Sequence, residues 1–341
     1  MVMFDVLAKN GYDVRLFCDT HSIKHAAISH LTGIKRFLKS PADILIYHHS
    51  RGWPPGVQLV RELGCRRVIR YHNVTPGSFF ERFSRTDQEL CETGRKELTE
   101  LVRAKCDLYL SASAFSMHEL IAIGADASRS YVVAPFHQID RLGNITADKR
   151  TIEKHSDGNA NILSVGRVVP HKSLHDLIEV FANYHFEYNR TSRLIIVGKG
   201  GEGLSPYSKA LHHAVQRLGL SGSVVFTGGV SEEVLKAHYQ VADAFVTVSQ
   251  HEGFCVPLVE AMAMKLPITA YALTAIPETL GDAGLVWTEQ NPMLVAGSLD
   301  LLVRDASVRS ALGRRGRRRY EAMFTNEKIE RRFLDAISKL R

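Results

Sequence analysis

Cysteine is scarce and scattered: five residues in 341, Cys18, Cys65, Cys91, Cys106 and Cys255, an odd number with no C-x-x-C pair. That excludes a disulfide framework and points to a reducing cytoplasm. No apolar run reaches bilayer-spanning length and no secretory leader opens the chain, so neither a spanning helix nor export is expected. H-E-x-x-H and Asp-x-Asp are both absent, so no metal and no other cofactor is expected. Aromatics are not interleaved with basic residues and no recognition module occurs, which argues against nucleic acid as a partner. Internal repeats and low-complexity tracts are missing as well.

What remains is an ordinary soluble composition, 45% apolar and 23% charged, in a chain longer than one core usually serves. Strand-like runs recur at 14 to 18, 43 to 48, 66 to 71, 107 to 111 and 131 to 134, with helical patterns between them. A second series starts at 161 and continues at 193 to 197, 223 to 227, 244 to 249 and 267 to 271. Such alternation predicts α/β architecture: two doubly wound, Rossmann-like domains with parallel sheets. The first domain is expected over 1–140, a polar linker over 141–160 and the second domain over 161–324. An amphipathic helix over 325–341, apolar at Ile329, Phe333, Leu334 and Ile337, follows. The opening segment VMFDVLAKN reads as a helix stopped by Gly11, where a doubly wound domain begins with a strand and a glycine-rich loop. The first domain is therefore expected to be truncated at its start, through an upstream true start or a shortened relative.

Three segments carry chemistry. In QHEGFCVPLVEAMAMKLPI, Glu252 and Glu260 stand eight residues apart around a strand-to-helix turn, with Pro257 in the first helical turn. Free N–H groups at that helix start attract phosphate, and Gly253 lets a ligand approach the main chain. By chance alone a chain this long contains roughly one such Glu spacing, so the pair proves little without its setting. In NILSVGRVVPHKSLHDLIEVF a strand ends at Gly166 and a helix begins near Ser173, with Ser173 and Asp176 as a capping box. Arg167 and Lys172 flank the loop, so both cations can converge on a diphosphate. In RLIIVGKGGEG, Gly198, Gly200 and Gly203 satisfy G-x-G-x-x-G. A nicotinamide site is disfavoured, because Pro206 delays the helix and the next strand, SVVFTGG, ends without an acid.

The run Glu252, Gly253, Phe254, Cys255, Val256, Pro257, Leu258, Val259, Glu260, Ala261, Met262 resembles the E-x7-E signature of retaining family 4 glycosyltransferases with the GT-B fold. The upstream Arg167 and Lys172 match the family in order and distance. The resemblance implies a donor site in the cleft between two domains, with a C-terminal helix packing back on the N-terminal one. It implies that Arg167 and Lys172 neutralise the departing diphosphate, that Glu252 holds sugar hydroxyls and that Glu260 holds ribose hydroxyls. Donor contacts are implied at Gly166, Gly198, Val230, Gly253, Phe254, Cys255 and Val256. The segment YHNVTP resembles a motif of family members that build bacterial polysaccharides and lipid-linked oligosaccharides, which implies that His72, and secondarily Asn73, contact the donor sugar and that GDP-mannose is favoured over a UDP-sugar. Lys265 stands where the family has glycine.

The expected partners are thus a nucleotide-sugar donor and a glycan or lipid-linked acceptor. The formal charge of +7 is clustered at Lys35, Arg36 and Lys39; at Arg61, Arg66, Arg67 and Arg70; and at Arg314, Arg315, Arg317, Arg318 and Arg319. The last run reads as a solvated helix face. The first two fit peripheral contact with anionic lipid at the inner face of the membrane. Two alternatives stand beside the transferase: a catalytically silent nucleotide-sugar-binding or scaffold subunit, and an epimerase or oxidoreductase on the same fold.

Overall fold

Short runs of Val, Ile, Leu and Phe become buried parallel strands when helices cover both faces of the sheet and leave neither to water. The structure, a computed structural model, describes residues 1–19, 27–201 and 203–340. The chain folds into two units. The first comprises Met1–Val74, Thr93–Phe136 and Asn326–Arg341, and the second comprises Thr75–Glu92 and His137–Thr325.

In the first unit, β1 (Leu16–Cys18) and β2 (Ile28–His30) pair with each other in parallel. Strands β3 (Ile44–His49), β4 (Arg66–Tyr71), β5 (Leu108–Ser111) and β6 (Ser130–Val132) form a separate parallel sheet in that order. The strand expected at 14 to 18 is therefore shorter than its pattern and stands outside the main sheet. Arg15, at the head of that run, lies over the Phe37 ring at 5.4 Å instead of entering the ladder. The opening helix, Val2–Lys9, ends where Gly11 adopts φ +81 and its N–H reaches the Ala8 carbonyl, while the Tyr12 N–H reaches Leu7. The last helix, Asn326–Ser338, buries Ile329, Phe333, Ala336 and Ile337, and Phe333 meets the ring of Phe136 edge-on at 6.4 Å.

The second unit holds β7 (Ala160–Val165), β8 (Ser192–Val197), β9 (Val224–Gly228), β10 (Ala244–Thr247), β11 (Ile268–Tyr271) and β12 (Leu285–Trp287). All are parallel, in the spatial order β12-β11-β10-β7-β8-β9. The chain thus runs outward from β7 through β8 and β9, then returns to β10 and runs outward the other way. Adjacent β7 and β10 form the switch point, where the loops leaving their carboxyl ends diverge and open a crevice. Ile162, Leu163, Leu194, Phe245 and Val246, all fully buried, fill the middle of this sheet.

The helix Ala306–Met323 corrects the reading of the arginine run as a solvated face. Arg314, Arg315 and Arg318 are exposed, but Arg317 donates to the Ala263 carbonyl at 2.9 Å and Arg319 to the Thr279 carbonyl at 2.8 Å. Gly313 brings this helix so close to the Lys265 carbonyl that any Cβ would collide. Arg70, counted above with the surface cations, is also corrected: it is 2% exposed. Its place in the interior of β4 turns the side chain inward. Among the described residues no helix is long and apolar enough to cross a membrane.

Candidate functional site

Two loops meet at the switch point of the second unit. After β7 the chain passes Gly166 and Arg167, makes a short turn over Pro170–Lys172 and enters the helix Leu174–Glu187. After β10 it passes Glu252 and enters the helix Val256–Ala263, with Pro257 in the first turn as expected. The Gln250 N–H donates to the His171 carbonyl at 2.9 Å and ties one loop to the other. Lys172 Nζ then reaches Glu252 Oε1 at 2.5 Å, with the two side chains 14% and 9% exposed. Burial works against the ammonium, yet the Glu252 carboxylate outweighs it and holds the Lys172 pKa above its ordinary value. Glu252 is itself held by its main chain: its N–H donates to Thr274 Oγ1 at 2.9 Å, and its carbonyl accepts from Ala275 at 3.3 Å. Arg167 is exposed and has no ion-pair partner among the described residues.

Glu260 sits one turn into its helix and half-buried, where its Oε2 accepts from the Tyr239 hydroxyl at 2.7 Å. Burial raises the Glu260 pKa, and the Tyr239 hydrogen bond pulls it back down. Phe254 is buried and packs edge-on against Phe324 at 5.5 Å, while its carbonyl accepts from Thr279 Oγ1. Cys255 is buried in a left-handed conformation at φ 73, and desolvation drives its thiol pKa far up, so the sulfur is inert. Gly253 and Val256 are partly exposed on the same turn, and Val230 is partly exposed after β9. A Cβ on Gly198 would strike the Gly166 carbonyl, and one on Gly166 would press on Lys172 Cε at 3.3 Å.

The expected capping box is not formed. Ser173 takes φ 48, a left-handed geometry that turns its hydroxyl away from the helix start, and it makes no side-chain cap. The Leu174 N–H instead donates to the Tyr207 hydroxyl at 3.1 Å, and Asp176 accepts from Gln250 Nε2 at 3.1 Å. Neither tyrosine, 207 or 239, carries a local sequence signal, because both act across long stretches of chain. His171 was also unforeseen: it is 5% exposed, its Nδ1 lacks a partner among the described residues, and Phe79 and Phe80 flank its ring at 6.2 and 5.9 Å. Burial and the neighbouring Lys172 and Arg167 charges hold it neutral, well below its ordinary pKa.

His72 lies in the first unit, at the carboxyl end of β4. Its Nε2 shares a hydrogen bond of 2.9 Å with His48 Nδ1, and the rings stack. His49 faces the other side of the sheet and bonds the Gly94 carbonyl at 2.8 Å, a structural role. Asn73, at φ 73, donates to Glu119 at 2.6 Å and to Ser116 at 3.1 Å. Among the described residues no three His, Cys, Asp or Glu side chains converge as metal ligands do.

The chain is similar over residues 146–319 to the family described as glycosyl transferases group 1. It is 30% identical over 155 residues to the O-antigen chain mannosyltransferase B of Escherichia coli, covering 45% of this chain and 39% of that protein. It is 28% identical over 207 residues to a GDP-mannose-dependent alpha-(1-6)-phosphatidylinositol monomannoside mannosyltransferase of Mycobacterium tuberculosis, covering 58% of this chain and 52% of that protein. These matches thus span about half the length, or less, of the curated relatives. The structure of HepE from Anabaena in complex with UDP and glucose superposes with a TM-score of 0.74 at 17% identity, covering 92% of this chain and 86% of that one. The two parallel sheets flanked by helices are those of the GT-B fold. With a family match that spans half of its length, this chain belongs to the group 1 glycosyl transferases.

Proposed function

We propose that the chain transfers a hexosyl group from a nucleoside diphosphate sugar to a hydroxyl of a glycan or lipid-linked acceptor in polysaccharide or glycolipid assembly, with retention at the anomeric carbon. The observation that carries this reading is the buried Lys172–Glu252 pair at the switch point, beside an Arg167 that has no ion-pair partner among the described residues. GDP-mannose is the favoured donor, supported by the two mannosyltransferase relatives; UDP-glucose is the second.

The residues divide the work by charge. Arg167 and Lys172 receive the diphosphate, together with the N–H groups at the start of Val256–Ala263, so that charge building on the leaving oxygen meets fixed positive ends. Glu252 accepts from sugar hydroxyls, Glu260 accepts from ribose hydroxyls, and His72 contacts the donor sugar. The bond from the anomeric carbon to the diphosphate breaks, and its electron pair stays on the diphosphate oxygen. The acceptor oxygen bonds the same face of that carbon and passes its proton to the diphosphate oxygen. The products are a glycoside and a nucleoside diphosphate, with cations and a helix end in place of a metal.

The test is release of nucleoside diphosphate from GDP-mannose and UDP-glucose with lipid extract as acceptor, and proton NMR of the product linkage. Arg167→Ala and Glu252→Ala abolish release on this reading. A chain that binds the donor and never turns it over is a donor-binding scaffold subunit instead. Cytoplasmic residence, with peripheral contact at the inner membrane face, is supported by exposed Arg36 and Lys39, which form no ion pair among the described residues. Equal sedimentation with neutral and anionic vesicles refutes that contact.

A further inference from the structure

Among the described residues Arg70 is a buried cation without a counter-ion. It lies in β4 directly opposite His48 of β3, and His72 follows two residues later on the same face of the sheet. The side chain is buried, with the residue 2% exposed; its Nη1 donates to the Val133 carbonyl at 2.6 Å and its Nε has no partner among the described residues. No carboxylate among the described residues forms an ion pair with it. Burial pushes its pKa down to about 10, so it keeps its charge at neutral pH.

The two imidazoles beside it are equally one-sided. One ring donates and the other accepts in their shared hydrogen bond, which leaves His48 Nε2 and His72 Nδ1 available. Desolvation and the charge of Arg70 lower His48 to about 4, and desolvation, His48 and Arg70 lower His72 to about 3. His48 is exposed and His72 half-buried while Arg70 is buried, so the rings lie nearer solvent than the guanidinium. All three lie towards the carboxyl ends of parallel strands, where ligands of such sheets bind. Buried guanidinium N–H groups with no carboxylate partner match a tetrahedral oxyanion in geometry and in charge.

We propose that His48, Arg70 and His72 bind a phosphate group in the first unit, either a soluble phosphate ester or the phosphate of a lipid headgroup. The site does not depend on the transfer reading; if that reading holds, the phosphate belongs to the acceptor and His72 meets the donor sugar through its ring face alone. Docking supplies the missing counter-charge; the imidazole that accepts the shared hydrogen bond donates its remaining N–H to a phosphate oxygen, and the bare nitrogen of the other accepts from a protonated phosphate oxygen.

Imidazole nitrogen NMR of the full chain, titrated with inorganic phosphate at constant ionic strength, tests this. Single His48→Gln and His72→Gln variants assign the two rings. Saturable shifts of both rings, absent with matched chloride, are expected, and His48→Gln should weaken phosphate binding by about tenfold. Arg70→Met should fold, lose the phosphate response and lose the rise in melting temperature that phosphate gives the unaltered chain. Displacement by phosphatidic acid vesicles, but not by glycerol phosphate, identifies a headgroup; the reverse identifies a soluble ester. Rings that stay still at saturating phosphate, or equal affinity in His48→Gln, overturn the proposal. GDP and UDP titrations run alongside report on the second unit, so their failure counts against the transfer reading and leaves the phosphate site standing.

Discussion

Replacing Glu252 by glutamine strands a charge. Lys172 would keep its ammonium, 14% exposed, with its carboxylate gone. Breaking such a buried pair from one side costs about 3–5 kcal/mol, and the small residual exposure argues for the lower figure, about 3 kcal/mol. For a unit of this size that corresponds to a fall in melting temperature of about 6–12 °C. Removing both charges in a Lys172→Met, Glu252→Gln double variant should recover most of the loss, because nothing charged is then left inside. The pH window follows from the lysine. Its folded pKa lies above the ordinary 10.5, so the pair's contribution is complete below 10.5 and is lost only as pH rises through the folded value. In Glu252→Gln burial alone acts on Lys172 and depresses it, so the difference from the unaltered chain should be greatest near pH 7 and shrink as pH rises and the stranded lysine sheds its proton. Urea unfolding followed by fluorescence reads these quantities. Saturating GDP or UDP should narrow the deficit, since the diphosphate replaces the missing carboxylate beside Lys172. A Glu252→Gln variant within about 1 kcal/mol of the unaltered chain, or a double variant weaker than either single one, refutes the reasoning.

Tyr239→Phe removes the hydroxyl that holds Glu260; it should cost about 1–2 kcal/mol in urea and raise KM for the donor more than it lowers kcat. Gly313→Ala should destabilise despite the better helix propensity of alanine, because a collision with the Lys265 carbonyl costs about 1–3 kcal/mol against a propensity gain of about 1 kcal/mol. His238 is 2% exposed, and burial, then His155 and Lys154, lower it from 6.5 to about 4. Its folded pKa is depressed, so its stabilising contribution is present above pH 6.5 and falls away towards pH 4, by up to about 1.4 kcal/mol per pH unit. Urea midpoints for His238→Phe should be less steep over that window than those of the unaltered chain.

The strands of the second unit were legible because each is a short apolar run set off by polar turns, as in NILSV and AFVTV. β12 escaped, being a three-residue edge strand with Val286 exposed. Glu252 and Lys172 were both legible as site residues from their motifs. Their mutual bond was not, since it exists only because strands 80 residues apart in sequence lie side by side. Ser173 misled for a local reason: its spacing to Asp176 fits a cap, but its backbone turns left-handed and a distant tyrosine takes the role. Arg70 misled because RRVIRY reads as a basic cluster until pairing fixes which residues face inward.

Gly198, seated on the Gly166 carbonyl, joins the first two loops of the second unit main chain to main chain. Directed evolution would meet this as a silent region: randomising 166 and 198 should return glycine almost alone, whatever activity is selected. On the transfer reading, variation that alters donor choice must then come from either side of that pair, from Val230 after β9 or the turn after Glu252, where side chains have room. The protein would diversify on both flanks of a centre that stays as fixed as a mould.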